Sequence, residues 1–346
     1  MKKFSDWREK IINTALCLSM LAVLIFAGGC GADQKSTEEN FAIVTDQIGR
    51  EVVISSAPQR IVSLSPSNTE TAFALGLGSR MVGVTDYCNY PEEALKINKV
   101  GGFSNPNVEA VLALEPDLVF AGNKHEEQVK KLEELNIPVL VLSPESIEDV
   151  LESMVMMGKA TGKSKEADAV IADMRERLKT IEAKVSSIPA QERVRVYFEV
   201  SSDPLMSAGA ASLIDEVISL AGGKNIFADV AGTYPKISEE VLLEKNPQFI
   251  IFPGGHGSEG FDRETIAARP LWENITAVQD NHIFEVSADM ITRPGPRSIE
   301  AVEKLAAIFY PEKFPKADGN DRFYGPTAWL METMMETMME MADDNG

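Results

Sequence analysis

The order of apolar runs predicts an α/β protein: two Rossmann-like lobes with parallel-rich sheets, joined by one long rigid α-helix. Three observations carry this prediction. Short β-rich apolar runs alternate with helical patterns, as βαβ units require. The alternation occurs twice, in two sets of about 100 to 120 residues, each an ordinary domain size. Between the sets, apolar residues recur at spacings of three and four, the mark of a single long amphipathic helix.

In the first set, strands are predicted at Ile61–Ser65, Met81–Thr85, Leu118–Ala121 and Val139–Leu142, with helices at Asn68–Leu75, Val108–Leu114 and His125–Leu135. The connecting helix spans Ser164–Ser187, with Ala167, Val170, Ile171, Met174, Leu178, Ile181 and Val185 on one face. It amounts to about six turns, ~35 Å, and Gly162 and Pro189 mark its boundaries. The second set places strands at Val194–Val200, Phe249–Phe252 and Ile283–Val286, with helices at Leu213–Leu220, Glu239–Lys245 and Ser298–Tyr310. The expected organisation is therefore a first lobe over 58–163, a linking helix over 164–187 and a second lobe over 188–314. Two lobes on one helix form a rather rigid body, and the cleft between them is the expected ligand site.

Upstream, Lys2, Lys3, Arg8 and Lys10 precede an apolar run from Ile11 to Phe26 and then Ala27-Gly-Gly-Cys30. Residues 1–29 have the form of a signal peptide, and the small residues before Cys30 resemble a lipobox, which makes Cys30 the acylated N-terminus. An uncleaved signal anchor is the alternative, because the run approaches the ~20 residues that span a bilayer. Both place the remainder outside the cytoplasm. Residues 30–57 then hold a polar tether, Gly31–Asn40, and N-terminal strands.

The chain has 346 residues, with 53 acidic against 33 basic side chains and a net charge of −20. Loss of residues 1–29 removes four basic and two acidic side chains, leaving 29 against 51 and −22. Such a surface repels phosphate and argues against a nucleic-acid partner. With Cys17 removed and Cys30 acylated, Cys88 is the one remaining thiol, so no internal disulfide forms. The tail, residues 315–346, is acidic and Met-rich, with Met331, Met334, Met335, Met338 and Met339 at helical spacing. Docking on the body or plain disorder is the plain reading of that stripe, and a copper(I) site the alternative.

The lobes share an internal repeat. Phe103, Asn107, Glu109 and Pro116 align with Tyr234, Ser238, Glu240 and Pro247 at a constant offset of 131 residues. Asn107 and Ser238 are expected N-caps, which puts Glu109 and Glu240 in the first turns of equivalent helices. Capping chemistry alone explains those acids. The paired aromatics suggest two walls facing one ligand, because strand-to-helix loops border the cleft.

No metal-ligand cluster is legible: His125, His256 and His282 lie far apart. Gly255-His-Gly257-Ser-Glu-Gly260 has the spacing of a dinucleotide loop, but it comes late in the chain and leads into an unconvincing helix start. Asp289-Met290-Ile291-Thr292-Arg293-Pro-Gly-Pro-Arg297 is expected as a cleft-lining loop stiffened by its prolines. Arg293 there offers five donors to a ligand, or else Arg293 or Arg297 pairs with an acid such as Asp289. His256 is a solvated loop residue or a metal contact, and Cys88 a buried small side chain or a ligand contact.

Asp46-Gln-Ile-Gly49-Arg50-Glu51, Pro58-Gln-Arg60-Ile-Val-Ser-Leu-Ser-Pro-Ser-Asn-Thr-Glu70, Val82-Gly-Val-Thr-Asp-Tyr87-Cys-Asn-Tyr90-Pro91 and the Phe103–Asp117 segment together resemble the substrate-binding lipoproteins of ABC importers in the iron-complex and cobalamin family, most of all those for cobalamin. The likeness runs from about Arg60 to Tyr310. It implies the helix-linked class III periplasmic-binding-protein fold and a bound cobalamin or other corrinoid, with no further cofactor. It also implies ligand contacts from Tyr87 and Phe103 in the first lobe and from Met206, Tyr234 and Asp289 to Arg293 in the second. Glu109 and Glu240 match the glutamates that dock onto a two-fold permease dimer, which a monomeric, pseudo-symmetric binding protein sits across. The implied location is the outer face of the cytoplasmic membrane or the periplasm, anchored through Cys30. The chain departs from the cobalamin pattern at Val200, Met206 and Tyr234, where large aromatics are usual, at Ala221, a cysteine position, and at Gly122-Asn123. A ferric siderophore or haem receptor on the same scaffold is the second expectation, and a nicotinamide-dependent oxidoreductase using Gly255–Gly260 a distant third.

Overall fold

The computed structural model describes residues 40–255 and 262–315. Its strands are β1 (Ala42–Thr45), β2 (Glu51–Ile54), β3 (Ile61–Ser63), β4 (Met81–Val84), β5 (Asn98–Lys99), β6 (Leu118–Ala121), β7 (Val139–Val141), β8 (Arg195–Ser202), β9 (Leu205–Ser207), β10 (Lys224–Asn225), β11 (Phe249–Gly254) and β12 (Ile283–Ser287). Its α-helices are α1 (Pro66–Ala74), α2 (Val108–Leu112), α3 (Glu126–Glu134), α4 (Ile147–Thr161), α5 (Ser164–Val185), α6 (Leu213–Leu220), α7 (Glu239–Lys245), α8 (Arg263–Ala267), α9 (Thr276–Gln279), α10 (Ala288–Thr292) and α11 (Ser298–Phe309). The fold is α/β with parallel-rich sheets, as the alternation predicts.

The first sheet has the order β5-β4-β3-β6-β7, and the second β10-β8-β11-β12 with β9 antiparallel on β8. All other neighbours within these two sheets are parallel. Numbering the four corresponding strands of each sheet along the chain gives the same spatial order, 2-1-3-4, in both. The sequence repeat therefore reflects a repeated topology: α2 and α7 begin 131 residues apart, and so do β6 and β11.

The linking helix α5 has 22 residues, or about 33 Å at 1.5 Å per residue, and ends two residues before the expected Ser187. Its neighbour α4, 15 residues long, is absent from the predicted elements. The signals for α4 are nonetheless local: a reciprocal Ser146–Asp149 capping box opens it, and Gly162 at φ +72° closes it. Gly162 thus serves as the C-cap of α4, and the chain turns directly into α5. Buried Ile147, Val150, Leu151, Met154 and Met157 of α4 join Ala167, Ile171 and Met174 of α5 in one apolar core with Ile214, Val217, Val302 and Leu305 of the second lobe. That continuity makes the body rigid, since bending at α5 would expose core surface at about 25 cal/mol per Å². Arg177 of α5 adds a two-point ion pair to Glu303 of α11, at 2.9 and 2.7 Å.

Close to that pair, Glu300 in the first turn of α11 is buried, and burial pushes its carboxyl up to about 7 despite the nearby charges of Arg177 and Arg297. Because the folded value lies above the ordinary 4.5, its contribution to stability is complete below pH 4.5 and is lost as pH rises through 7. Glu300→Gln, neutral at every pH, is expected to flatten that part of the stability profile and to raise the Tm by a few degrees at pH 8. Thermal denaturation across the window checks it, and an unchanged slope would show that Glu300 is already ionised in the fold.

Candidate functional site

In parallel α/β sheets, ligands gather outside the carboxyl ends of the strands, at the crevice where strand order reverses. Here that crevice lies between β3 and β6 in one lobe and between β8 and β11 in the other. The expected ligand residues follow such ends: Tyr87 after β4, Phe103 after β5, Tyr234 after β10, and the Asp289–Arg293 segment after β12, while Met206 sits on β9 beside the end of β8.

In the first lobe, Phe103 rides on a loop pinched by a bridge between Gly101 and Pro106 and closed by the Asn107 amide donating to the Val100 carbonyl at 2.8 Å. The half-buried Phe103 ring meets the His125 imidazole edge-on, with centroids 5.3 Å apart. His125 is fully buried. The Gly122 amide donates to its Nδ1 at 3.0 Å, and Nε2 lies 2.7 Å from the Phe103 carbonyl oxygen. An amide N–H only donates and a carbonyl only accepts, so the ring is the neutral tautomer protonated on Nε2. Burial pushes its pKa down, in the same sense. Tyr87 is 59 % exposed, so its ring is open to solvent.

In the second lobe, segment 233–237 lies antiparallel along 205–209: Met206 bridges Lys236, the Ser207 amide donates to the Pro235 carbonyl, and the Gly209 amide to that of Thr233. That register puts Tyr234 opposite Ala208 and on the same face as Met206. Gly209 permits the approach, because a Cβ there would lie 2.1 Å from the Gly232 carbonyl oxygen. Behind this ladder, buried Glu199 of β8 holds Arg269 through two contacts of 2.6 and 2.7 Å, and Arg269 stacks over Trp272. Trp272 in turn donates to Glu239 at the start of α7, at 2.6 Å.

The Asp289–Arg293 segment is not the expected loop. Residues 288–292 form α10, with Arg293 as its C-cap. Ile291 is wholly buried in the core, so it does not face the cleft; Asp289, Met290, Thr292 and Arg293 retain exposed surface. The terminal nitrogens of Arg293 are directed across to the first lobe. Nη1 donates to Asn89 Oδ1 at 2.7 Å and Glu70 Oε1 at 3.2 Å, while Nη2 donates to the Tyr87 carbonyl at 3.2 Å and pairs with Asp289 at 2.7 Å. Arg297 grips the same Glu70 through Nε and Nη2, at 2.8 and 2.6 Å, and lies over the Tyr90 ring. Asn89 completes the seam by donating to Asp289 at 2.8 Å.

Glu70 and Asn89 were not among the expected site residues. A signal for Glu70 exists in sequence: it is the one acid of α1, and Arg293 and Arg297 stand four residues apart with Asp289 as the single acid of their own segment. The pairing of a carboxylate with arginines more than 220 residues away is tertiary information.

The two acids of the repeat occupy equivalent places. The Asn107 side chain accepts from the Glu109 and Ala110 amides, and Ser238 accepts from the Val241 amide, so both are N-caps as expected. Glu109 and Glu240 project from the first turns, exposed. The Ser238 hydroxyl donates to the Glu240 carboxylate and holds its pKa below the ordinary range. Cys88 is buried against the Thr69 and Thr85 hydroxyls at 3.1 and 3.2 Å, in the manner of a small core side chain. Cys30, His256, the Gly257–Gly260 glycines and the Met-rich tail lie outside the described residues. Among the described residues, no group of three or more His, Cys, Asp or Glu side chains is arranged to hold a metal ion, and no helix is long and apolar enough to cross a membrane.

A family model described as periplasmic binding protein matches residues 61–290. The ABC transporter substrate-binding lipoprotein YvrC of Bacillus subtilis (strain 168), itself uncharacterized, is 36 % identical over 313 residues, which cover 86 % of this chain and 96 % of that protein. Among solved structures, the periplasmic vitamin B12 binding protein BtuF of Vibrio cholerae superimposes with a TM-score of 0.63 at 28 % identity, covering 74 % of this chain and 98 % of its own. A Staphylococcus epidermidis ATCC 12228 protein, described as a possible iron-binding (periplasmic solute-binding) protein, gives 0.64 at 28 % identity, covering 74 % and 100 %.

Proposed function

The chain belongs to the periplasmic binding protein family, and from that premise we propose that it captures cobalamin or a related corrinoid in the cleft between its lobes. It is a substrate-binding protein of an ABC transporter and not an enzyme: members of the family bind a small ligand and deliver it to a permease. The observation that carries the corrinoid reading is the character of the cleft. Its expected contacts, Tyr87, Phe103, Met206 and Tyr234, are aromatic or apolar, while Arg293 and Arg297 are directed to Glu70. A corrin ring is broad, apolar on its faces and rimmed by neutral amides. Haem propionates and the carboxylates of many ferric complexes call instead for an arginine with donors to spare. The identity of the vitamin B12 binding neighbour supports the same reading.

Glu109 and Glu240 are the proposed contacts to the permease dimer, one from each lobe. Cys30 is the proposed lipid anchor, which holds the protein at the outer face of the cytoplasmic membrane or in the periplasm. Isothermal titration of cyanocobalamin is expected to give one site at micromolar Kd or tighter with no turnover.

A ferric siderophore or haem is the second reading, and one observation favours it. Lys124 lies 6.0 Å from the Phe103 ring centre, and Lys236 bridges Met206, so each lobe sets a cation beside an expected ligand contact. Absence of heat with cyanocobalamin, together with quenching of intrinsic fluorescence by hemin or a ferric siderophore, would overturn the corrinoid reading in its favour.

A further inference from the structure

We infer that His125 is a positioning residue that sets the Phe103 wall of the cleft by tying two carboxyl-end loops of the first sheet together. The inference rests on the proposed ligand role of Phe103. Its geometry does not. Gly122 leaves β6 and turns at once into a short 3-10 segment, in which the His125 amide donates back to the Gly122 carbonyl at 3.1 Å. The Gly122 amide returns a bond to Nδ1 at 3.0 Å, so the imidazole caps its own turn. With Nδ1 occupied as an acceptor, the ring proton must sit on Nε2, and it is aimed at the Phe103 carbonyl at 2.7 Å.

The ring thus fixes both the backbone of Phe103, by that bond, and its side chain, by the edge-on contact with centroids 5.3 Å apart. The one hydrogen bond between the loops is costly to break, because the Phe103 carbonyl and the Nε2–H are then left without a partner in a largely desolvated place. The same loop runs on to Asn107, the N-cap of the helix carrying Glu109. One imidazole therefore orders the stretch that joins the cleft wall to the proposed docking acid.

The internal repeat sharpens the assignment. The 131-residue offset that maps Phe103 onto Tyr234 maps His125 onto His256, which lies outside the described residues, but maps Gly122 onto Pro253. Proline has no N–H to give to a ring nitrogen. The tautomer-fixing bond thus belongs to the first lobe.

The test pairs amide hydrogen exchange in ligand-free protein with titration of cyanocobalamin, in His125→Leu and His125→Gln. Leucine removes both polar atoms, whereas glutamine keeps an acceptor oxygen and an NH2 donor group. In the leucine variant, exchange at Phe103, Ser104, Asn105 and Asn107 is expected to quicken at least tenfold while β6 keeps its protection, and affinity is expected to fall about tenfold. Glutamine is expected to recover part of both. Equal loosening of β6 and the Phe103 loop would overturn the inference in favour of a general structural role. Lost affinity with unchanged loop exchange would overturn it in favour of direct ligand contact. If wild-type protein gives no heat with cyanocobalamin, the corrinoid reading fails, and the exchange arm still decides the role of His125.

Discussion

Glu70→Ala is expected to destabilise the protein by about 3 to 5 kcal/mol, the cost of removing one partner from a buried ion pair. The side chain of Glu70 is only 2 % exposed, and those of Arg293 and Arg297 are 13 % and 11 % exposed. Truncation leaves two largely desolvated guanidinium groups without the carboxylate between them. Arg293 keeps Asp289 as a partner, so most of the loss falls on Arg297, whose Nε and Nη2 both donate to Glu70. Urea denaturation measures the effect. A loss below about 1 kcal/mol would put the seam in the class of exposed surface pairs. In Glu70→Ala/Arg297→Met the loss is expected to be smaller than the sum of the single variants, because neither charge is then stranded. Ligand affinity is expected to fall as well, since the seam joins the Tyr87 segment of one lobe to α10 of the other.

That seam marks where sequence reasoning stops. The alternation of strands and helices is a local signal, and so is the 3.6-residue period of α5; both survive into the fold nearly residue for residue. The N-caps Asn107 and Ser238 were equally legible, because a side chain three residues from the amide it caps needs no tertiary context. The 131-residue repeat marks equivalent helix starts, and the shared strand order appears only in the sheets. What was hidden depends on partners far along the chain. An arginine followed by Pro-Gly-Pro reads as a ligand donor until Glu70 and Asn89, more than 200 residues upstream, come within 3.2 Å of it. Ile291 lies in a segment whose prolines predict a loop, and only the packing of α10 reveals it as core. α4 carries adequate local signals, a Ser146–Asp149 capping box and a Gly162 C-cap, and is nonetheless missing from the predicted elements.

Charge reversal of both repeat acids, Glu109→Arg with Glu240→Arg, is expected to reduce ligand uptake at least 100-fold while leaving ligand affinity within about twofold. The two residues sit in the first turns of α2 and α7, exposed. They belong to lobes of the same topology, so they are equivalent points on a pseudo-two-fold body. A permease dimer presents two equivalent surfaces, and in the proposed docking one acid per lobe would meet each half. Truncating one partner of a buried, hydrogen-bonded charge pair at such an interface costs about 2–5 kcal/mol, and reversal adds repulsion, so two sites together exceed a hundredfold in binding. Each single reversal is expected to fall between wild type and the double variant. Placing arginine in the first helical turn also opposes the helix dipole at about 0.3–1 kcal/mol per site, so Glu109→Gln with Glu240→Gln serves as the milder pair. Uptake by cells or by permease-containing vesicles reports docking, and titration of the isolated protein reports the cleft. The discriminating result is the pattern across the two assays. Normal affinity with failed uptake places the acids at a permease interface; weakened affinity places them in the site or the fold; and undiminished uptake removes them from docking altogether.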